Sequence, residues 1–165
     1  MIGWIRVMRA FWFAAWAHRG QRDKEGLPYL LHLVTVAWIS YGMTASSEAA
    51  VVGLLHDYVE DVDPLYGVET VRHKFGWQTA ATVKMLTHAR GVSYDQYIER
   101  LCRIPQHALT ASSVAVEVKI ADLLHNTRPG RGSLSEYRLL AYKAALTELL
   151  SARVRLAVSP AVRRR

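Results

Sequence analysis

The sequence predicts an all-α domain built from seven to eight helices. Glycine and proline separate segments in which apolar residues recur at the three- and four-residue spacing of a helix. Residues 114–120, VAVEVKI, are β-branched enough for a strand, but their continuation into ADLLHN favours a helix. The first helix shows the helical spacing at Ile5, Met8, Phe11, Trp12 and Ala15.

Turn and capping residues divide the chain into its predicted elements. We expect Gly42 to end the second helix, Ser46 or Ser47 to cap the third, and Ser93 to cap the helix that follows Gly91. The predicted helices cover residues 2–19, 29–41, 47–60, 66–75, 77–88, 94–104, 112–127 and 134–154.

The length and composition indicate one domain with a basic tail. The chain has 165 residues, of which 51% are apolar, so one sizeable core is expected over residues 1–154. The net charge of +7 favours anionic partners, either nucleotides or nucleic acid. Part of this charge lies in residues 155–165, which we expect to be flexible and solvated. A nucleic-acid partner is not expected, and nucleic-acid binding by this tail is the runner-up interpretation.

The N-terminal segment and the cysteine content bear on the compartment. Arg6 and Arg9 interrupt the apolar N-terminus, so no membrane span and no membrane partner is expected. The single cysteine, Cys102, fits a reducing compartment, and we expect a cytoplasmic protein. The five tryptophans are expected to fill the core or subunit contacts, which leaves a homo-oligomer open.

The stretch VVGLLHDYVEDVD, residues 51–63, gathers titratable groups at the end of an apolar helix. On a continuous helix His56 and Glu60 lie four residues apart, as do Asp57 and Asp61. Carboxylates this close repel one another, and a divalent cation held by His56 and Asp57 would relieve that repulsion. The alternative interpretation is a solvated helix end. The helix dipole, which disfavours negative charge at a C-terminus, weighs against that alternative.

Two further segments extend the pattern. GLPYLLH, residues 26–32, ends in His32, and KIADLLHN, residues 119–126, places Asp122 and Asn126 four residues apart on an apolar helix. Together with LLHDYVED at residues 54–61, these motifs resemble the HD-domain phosphohydrolases. Within that family they resemble the hydrolase domain of the RelA/SpoT alarmone enzymes and their small stand-alone relatives.

The resemblance implies an all-α HD-type helical bundle with one divalent metal, usually manganese. It implies metal ligation by His32, His56, Asp57 and Asp122. It implies that Glu60 and Asp61 are catalytic, orienting and deprotonating water or assisting the leaving group. It also implies substrate binding by Lys24, Asn126 and Arg128. His125, beside Asn126, is expected to support the site by hydrogen bonding and not to ligate the metal.

The expected function is metal-dependent removal of the 3′-diphosphate from (p)ppGpp-type alarmones, with a nucleotide as the partner. The chain carries Asp23-Lys24 where the alarmone enzymes usually have a basic pair, and Pro129 where they often have a hydroxyl residue. Two alternatives therefore stay open. One is an HD-family nucleotidase or phosphodiesterase that acts on a different nucleotide. The other is a non-catalytic nucleotide-binding module.

Overall fold

A computed structural model describes residues 2–103, 109–129 and 134–158 of the chain. Within these ranges the helices are α1 (Ile2–Ala17), α2 (Leu30–Thr44), α3 (Ser47–Leu55), α4 (Tyr58–Asp61), α5 (Gly67–Phe75), α6 (Trp77–Leu86), α7 (Tyr94–Cys102), α8 (Leu109–Asn126) and α9 (Glu136–Val158).

The prediction of an all-α fold is confirmed. In the described residues the β-structure is limited to one isolated bridge between Arg22 and Pro28, and the rest of the regular structure is helical. These residues form nine helices, one more than the upper limit of the prediction. The third predicted helix, expected to run unbroken to residue 60, instead divides at His56 and Asp57 into α3 and the short α4.

Helices α2, α3 and α8 form the centre of the bundle. Helix α2 packs along α3, α8 packs across α2, α3 and α6, and α1 and α9 lie on the outside against α3 and α8 respectively. Leu33, Leu55 and Ile120, one from each central helix, are fully buried. Burial of these apolar faces is the main source of stability in such a bundle.

A glycine lets α2 and α3 approach each other closely. A Cβ atom added at Gly53 of α3 would lie 2.7 Å from the Ala37 Cα atom and 2.9 Å from its nitrogen, both in α2. Because backbone atoms cannot yield as a flexible side chain does, only glycine fits at residue 53 with this helix spacing. The close approach sets the distance between the α2 residues and the chain that leaves the end of α3.

The boundaries of α2 differ from the prediction at its C-terminal end. Gly42 lies inside the helix, which continues to Thr44, and Ala45 follows in the left-handed conformation with φ 52°. The predicted caps are confirmed at Ser46, whose side chain accepts a hydrogen bond from the Ala49 N–H, and at Ser93, which forms a capping box with Gln96.

The tryptophans do not fill the core, contrary to one of the two roles predicted for them. All five are between 52% and 75% exposed. They lie on the outer surfaces of α1, α2 and α6, and the other predicted role, in subunit contacts, stays a prediction. The five residues are Trp4, Trp12, Trp16, Trp38 and Trp77.

The C-terminal helix extends beyond the predicted end of the domain at residue 154. Helix α9 runs to Val158, and the side chain of Leu156 belongs to the hydrophobic core. Residues 159–165 of the predicted tail lie outside the described part of the chain. Among the described residues, no helix is both long enough and apolar enough to cross a membrane.

Candidate metal centre

The loop before α2 is held in a fixed shape by its own hydrogen bonds. The Asp23 Oδ1 atom accepts the backbone N–H groups of Glu25 and Leu27, both at 2.9 Å. Gly26 takes a φ of +79°, a conformation that glycine adopts without strain. The loop delivers Tyr29 to the start of α2 and so positions His32 in the first turn of that helix. Asp23, which departs from the basic pair of the alarmone enzymes, therefore organises this turn.

The junction between α3 and α4 presents the second histidine and the first carboxylate. The His56 Nδ1–H donates to the Gly53 carbonyl at 2.8 Å, because a carbonyl oxygen can only accept. This hydrogen bond orients the ring, so that the Nε2 atom points to the carboxylate of Asp57 at 3.0 Å. The interruption between α3 and α4 therefore lies where the side chains of His56 and Asp57 meet.

Helix α8 supplies the second carboxylate from an otherwise apolar face. The Asp122 Oδ2 atom accepts a hydrogen bond from Lys119 Nζ at 2.9 Å, and its Oδ1 atom accepts one from Asn126 Nδ2 at 2.5 Å. Burial works to raise the pKa of Asp122, but the charges of Lys119 and His56 outweigh it and hold that pKa below its usual range. Asp122 is therefore an ionised ligand candidate.

The four predicted metal ligands converge. The Nε2 atom of His32 lies 3.5 Å from Asp57 Oδ2 and 3.5 Å from Asp122 Oδ1, and the Nε2 atom of His56 lies 3.9 Å from Asp122 Oδ1. The ligand atoms of His32, His56 and Asp57 all lie within 4.8 Å of one another. Two imidazole nitrogens and two carboxylate oxygens from three separate parts of the chain thus surround one point.

The charges of this cluster stabilise one another. Burial works to lower the pKa of His56, but the carboxylates of Asp57 and Asp122 outweigh it and raise that pKa to about 9. Burial also works to raise the pKa of Asp57, yet His56 and His32 hold it well below its ordinary value. The protein alone therefore keeps both carboxylates ionised and balances them with a proton on an imidazole.

The donor set fits a divalent metal ion. The Nε2 atom of His56 is buried and makes no hydrogen bond of acceptable geometry within the described residues, although Asp57 lies beside it. Unpaired buried donors and acceptors are costly, and a cation at this point would coordinate this nitrogen. Mixed imidazole and carboxylate ligation suits first-row transition metals, including manganese and zinc.

Neighbouring side chains hold the ligand candidates in place. The Tyr29 hydroxyl donates to Asp57 Oδ2 at 2.7 Å, and burial together with the Asp57 charge raises the pKa of this tyrosine. The Nδ1 atom of His32 lies 2.8 Å from the Nδ1 atom of His125, so His125 makes a hydrogen bond of the kind predicted for it, while its role in the site stays a prediction. Such partners fix the orientation of metal ligands and tune their basicity.

The cluster opens into a cavity of about 700 Å³. His32, Asp57 and Asp122 lie on its wall, as do four other residues predicted to act on or bind substrate: Lys24, Glu60, Asp61 and Asn126. Arg128 does not line this cavity. It forms an ion pair with Glu25 at 3.0 Å and contacts the ring of His125.

Within the part of the chain that the structure describes, the two carboxylates predicted to be catalytic each accept one hydrogen bond. The backbone N–H of His88 donates to Glu60 Oε2 at 3.0 Å, and the Gln21 side chain donates to Asp61 Oδ2 at 3.0 Å. Gln21 accepts in turn from His18 Nδ1 at 2.6 Å. These contacts fix Glu60 and Asp61 on the cavity wall beside the cluster.

Sequence reasoning assigned no role to Tyr29 or Gln21. Both act through residues distant in sequence, since Tyr29 meets Asp57 across 28 positions and Gln21 meets Asp61 across 40. The signal that could have found Tyr29 is its place inside GLPYLLH, because a tyrosine one turn before a ligand histidine can face the same site. No local pattern points to Gln21.

Comparison with known proteins bears on the identity of this site. The family model for the HD domain matches residues 10–136. This chain belongs to the HD domain family. The matched region of this HD domain protein contains all four residues of the His/Asp cluster and the cavity residues Glu60 and Asp61.

Relatives of this HD domain protein include much longer proteins. A probable guanosine-3′,5′-bis(diphosphate) 3′-pyrophosphohydrolase of Synechocystis is 33% identical over 125 residues, which are 74% of this chain and 16% of that protein. A guanosine-3′,5′-bis(diphosphate) 3′-pyrophosphohydrolase of Aquifex aeolicus is 29% identical over 122 residues, 74% of this chain and 17% of that protein. The chain thus spans about a sixth of these relatives.

A solved structure of similar size has the same fold. It is described as a metazoan ortholog of SpoT that hydrolyzes ppGpp and plays a role in starvation responses. Its TM-score is 0.67 at 25% sequence identity, and the match covers 90% of this chain and 85% of the other. The helical bundle of the HD domain protein therefore has a close structural counterpart over nearly its whole length.

Proposed function

We propose that this protein is a metal-dependent hydrolase that removes the 3′-diphosphate from (p)ppGpp-type nucleotides. The observation that carries the proposal is the convergence of two imidazoles and two carboxylates, three of these four residues lining a cavity of about 700 Å³ that Glu60 and Asp61 also line. The substrate is proposed from the HD domain relatives named as 3′-pyrophosphohydrolases and from the ppGpp-hydrolysing structural neighbour.

His32, His56, Asp57 and Asp122 would hold the metal, which we propose to be Mn²⁺. When bound, a divalent ion supplies Lewis acidity, which activates water and neutralises charge on phosphorus. Tyr29 and Lys119 contribute by donating to Asp57 and Asp122, so that each carboxylate presents one preferred orientation.

Glu60 and Asp61 would manage the protons of the reaction. Among the described residues, each accepts a hydrogen bond through one side-chain oxygen, and the other oxygen could take a proton from the attacking water or give one to the leaving group. Their position on the same cavity wall as Asp57 puts them within reach of a substrate bound there.

Cationic and amide side chains at the cavity would contact the substrate. Lys24, from the loop before α2, is the predicted residue placed best for this contact, and Asn126 combines a position on the wall with its hydrogen bond to Asp122. Arg128 can reach a phosphate only by leaving Glu25. We therefore assign phosphate contact to Lys24 first, with Arg128 supporting His125 in the arrangement described.

The test measures pyrophosphate release from ppGpp and pppGpp beside a panel of other nucleotides, with Mn²⁺ and with chelator. We expect release from the two alarmones only when metal is present. The Asp57→Ala variant should lose bound metal and hydrolysis together while its circular dichroism stays helical. Glu69→Ala, which alters an exposed carboxylate on α5, is the matched control and should retain both.

The outcomes separate the alternatives. Metal-dependent hydrolysis of another nucleotide, with ppGpp untouched, would make this protein an HD-family nucleotidase or phosphodiesterase. Metal and nucleotide binding without turnover would indicate a non-catalytic module. Retention of metal and hydrolysis by Asp57→Ala would reject the proposed site.

A further inference from the structure

Helices α1 and α2 expose large apolar side chains on one side of the molecule. On α1, Trp4, Met8 and Trp12 follow one another at four-residue spacing, and each is at least half exposed. On α2, Val34 and Trp38 are also exposed, and Trp38 reaches 74%. We call these five residues the α1–α2 face. Scattered apolar residues are common on protein surfaces, but an aligned set of this size is not.

The α1–α2 face contains a recess. Trp4, Met8, Val34 and Trp38 surround an apolar groove of about 150 Å³, whose floor includes Leu54 of α3. At one end the rings of Trp4 and Tyr41 lie 5.2 Å apart and so connect α1 to α2. None of the residues that line this groove lines the cavity of the metal centre.

Charge is depleted across this face. The fifteen residues of α2 include no Asp, Glu, Lys or Arg. The two arginines of α1 are engaged elsewhere, since Arg6 pairs with Glu48 and donates to the Phe75 carbonyl, and Arg9 donates to the Lys74 carbonyl. A surface with apolar and aromatic residues at its centre and no charge there has the composition of a protein–protein interface core.

The face offers about three quarters of the area that each partner of a standard dimer buries. Aromatic side chains carry about 150–250 Å² each, so the exposed parts of the three tryptophans, Met8 and Val34 offer roughly 600 Å² of apolar surface. A standard interface buries about 800 Å² on each partner. The α1–α2 face thus supplies the core of such an interface, and a polar rim would complete it.

We propose that the α1–α2 face is the interface of a homodimer with twofold symmetry. A twofold interface brings the same patch of both copies together, so it needs projecting groups and a recess on one surface. Trp12 and Trp38 are the most exposed members of the face, and the groove lies beside them. A membrane surface is disfavoured because Arg6 donates to α5 and α6 and Arg9 donates to α5, where they do not flank the apolar face.

The test is the mass of the full chain in solution. Sedimentation velocity and light scattering from about 1 to about 100 µM cover the range of Kd values expected for a modest to tight dimer. We expect twice the chain mass of 18.6 kDa. Trp38→Arg should halve the observed mass. Trp77→Arg changes a tryptophan of matching 75% exposure on α6, outside the groove, and should leave the dimer intact.

Three results would overturn the proposal. The first is a wild-type mass of one chain at every concentration, and vesicle binding by that monomer would assign the face to a membrane. The second is a Trp38→Arg variant that remains dimeric. The third is equal dissociation by Trp77→Arg, which would attribute the effect to added charge in general. Circular dichroism of both variants checks that the helical fold is retained.

Discussion

Individual hydrogen bonds determine how precisely the proposed ligand side chains of this HD domain are held. Asp57 accepts from the Tyr29 hydroxyl, and His32 is hydrogen-bonded to His125. Because burial and the Asp57 charge both raise the pKa of Tyr29, its hydroxyl keeps its proton throughout the working pH range. Tyr29 is therefore a permanent donor to the proposed metal ligand.

Tyr29→Phe removes this donor and leaves the ring in place. We expect metal affinity to fall about 10- to 100-fold, the range typical of losing a partner of a metal ligand. Competition with a metal-sensitive dye measures the affinity. Tyr66→Phe, which alters an exposed tyrosine, should bind metal as the wild type does. An unchanged affinity in Tyr29→Phe would mean that the hydroxyl does not orient Asp57 for binding.

The raised pKa of His56 predicts that metal binding depends on pH. Below about 9, its pKa, this imidazole carries a proton that an incoming metal must displace. Metal affinity should therefore rise about tenfold for each pH unit up to that value and level off above it, because one proton is released per metal. Titrations between about pH 6 and about pH 10 give the slope. A metal affinity that does not change with pH would contradict the raised pKa of His56.

The raised pKa of His56 also makes the stability of the metal-free protein depend on pH. The pKa of His56 in the fold, about 9, exceeds its ordinary value of 6.5, so protonation favours the folded state. That contribution is complete below pH 6.5 and disappears as the pH rises through about 9. The lowered pKa of Asp57 acts in the opposite direction, and its contribution disappears as the pH falls through the acidic range.

Helix packing places the ligands of separate elements at one point. Gly53 permits the close contact of α3 with α2, and its carbonyl oxygen also accepts from His56. The residue therefore links the spacing of the two helices to the orientation of a proposed ligand. A side chain here would separate His32 from His56.

Gly53→Ala should destabilise the fold by about 1–3 kcal/mol, because its Cβ atom would overlap the backbone of Ala37. Urea unfolding measures the change. Gly42→Ala is the control, since a Cβ atom at that helical position meets nothing within 4 Å. There the free energy of unfolding should be unchanged or rise by up to about 1 kcal/mol. An equal free energy of unfolding in the two variants would show that α2 can move away from α3 without loss of stability.

The sequence was a good guide to where the helices lie and to two of their caps, but not to every helix boundary. Apolar spacing located the elements, and Ser46 and Ser93 cap their helices as expected because an N-cap depends on adjacent residues. The boundary at Gly42 was wrong because the left-handed residue that ends the helix is Ala45 and not this glycine. The break at His56 and Asp57 depends on packing, and no Gly or Pro marks it.

The sequence was a partial guide to the site. Motif order predicted which residues would meet, and the structure brings the four proposed ligands together. It did not predict that Arg128 would pair with Glu25, since the two are 103 positions apart. Apolar spacing along α1 and α2 also could not show whether Trp12 and Trp38 are buried in the core or exposed to solvent.

The whole molecule should gain stability from metal. The ligand candidates come from α2, the α3–α4 junction and α8, so an unfolded chain cannot present them together. A ligand bound only by the folded state stabilises it by about 2.7 kcal/mol at 100 times its Kd. Thermal melts with Mn²⁺ and with chelator should differ accordingly, and Asp57→Ala should show no difference. An equal shift in that variant would place the stabilising metal elsewhere.

The contact between His32 and His125 joins residues 93 positions apart, and it has a consequence for the order of folding. Closing so long a loop costs more conformational entropy than pairing the adjacent helices α2 and α3. We therefore expect α8 to dock after the transition state, so that the proposed ligand set is completed on the native side of the barrier. In that case an ion that binds only the complete set should slow unfolding and leave the rate of refolding unchanged.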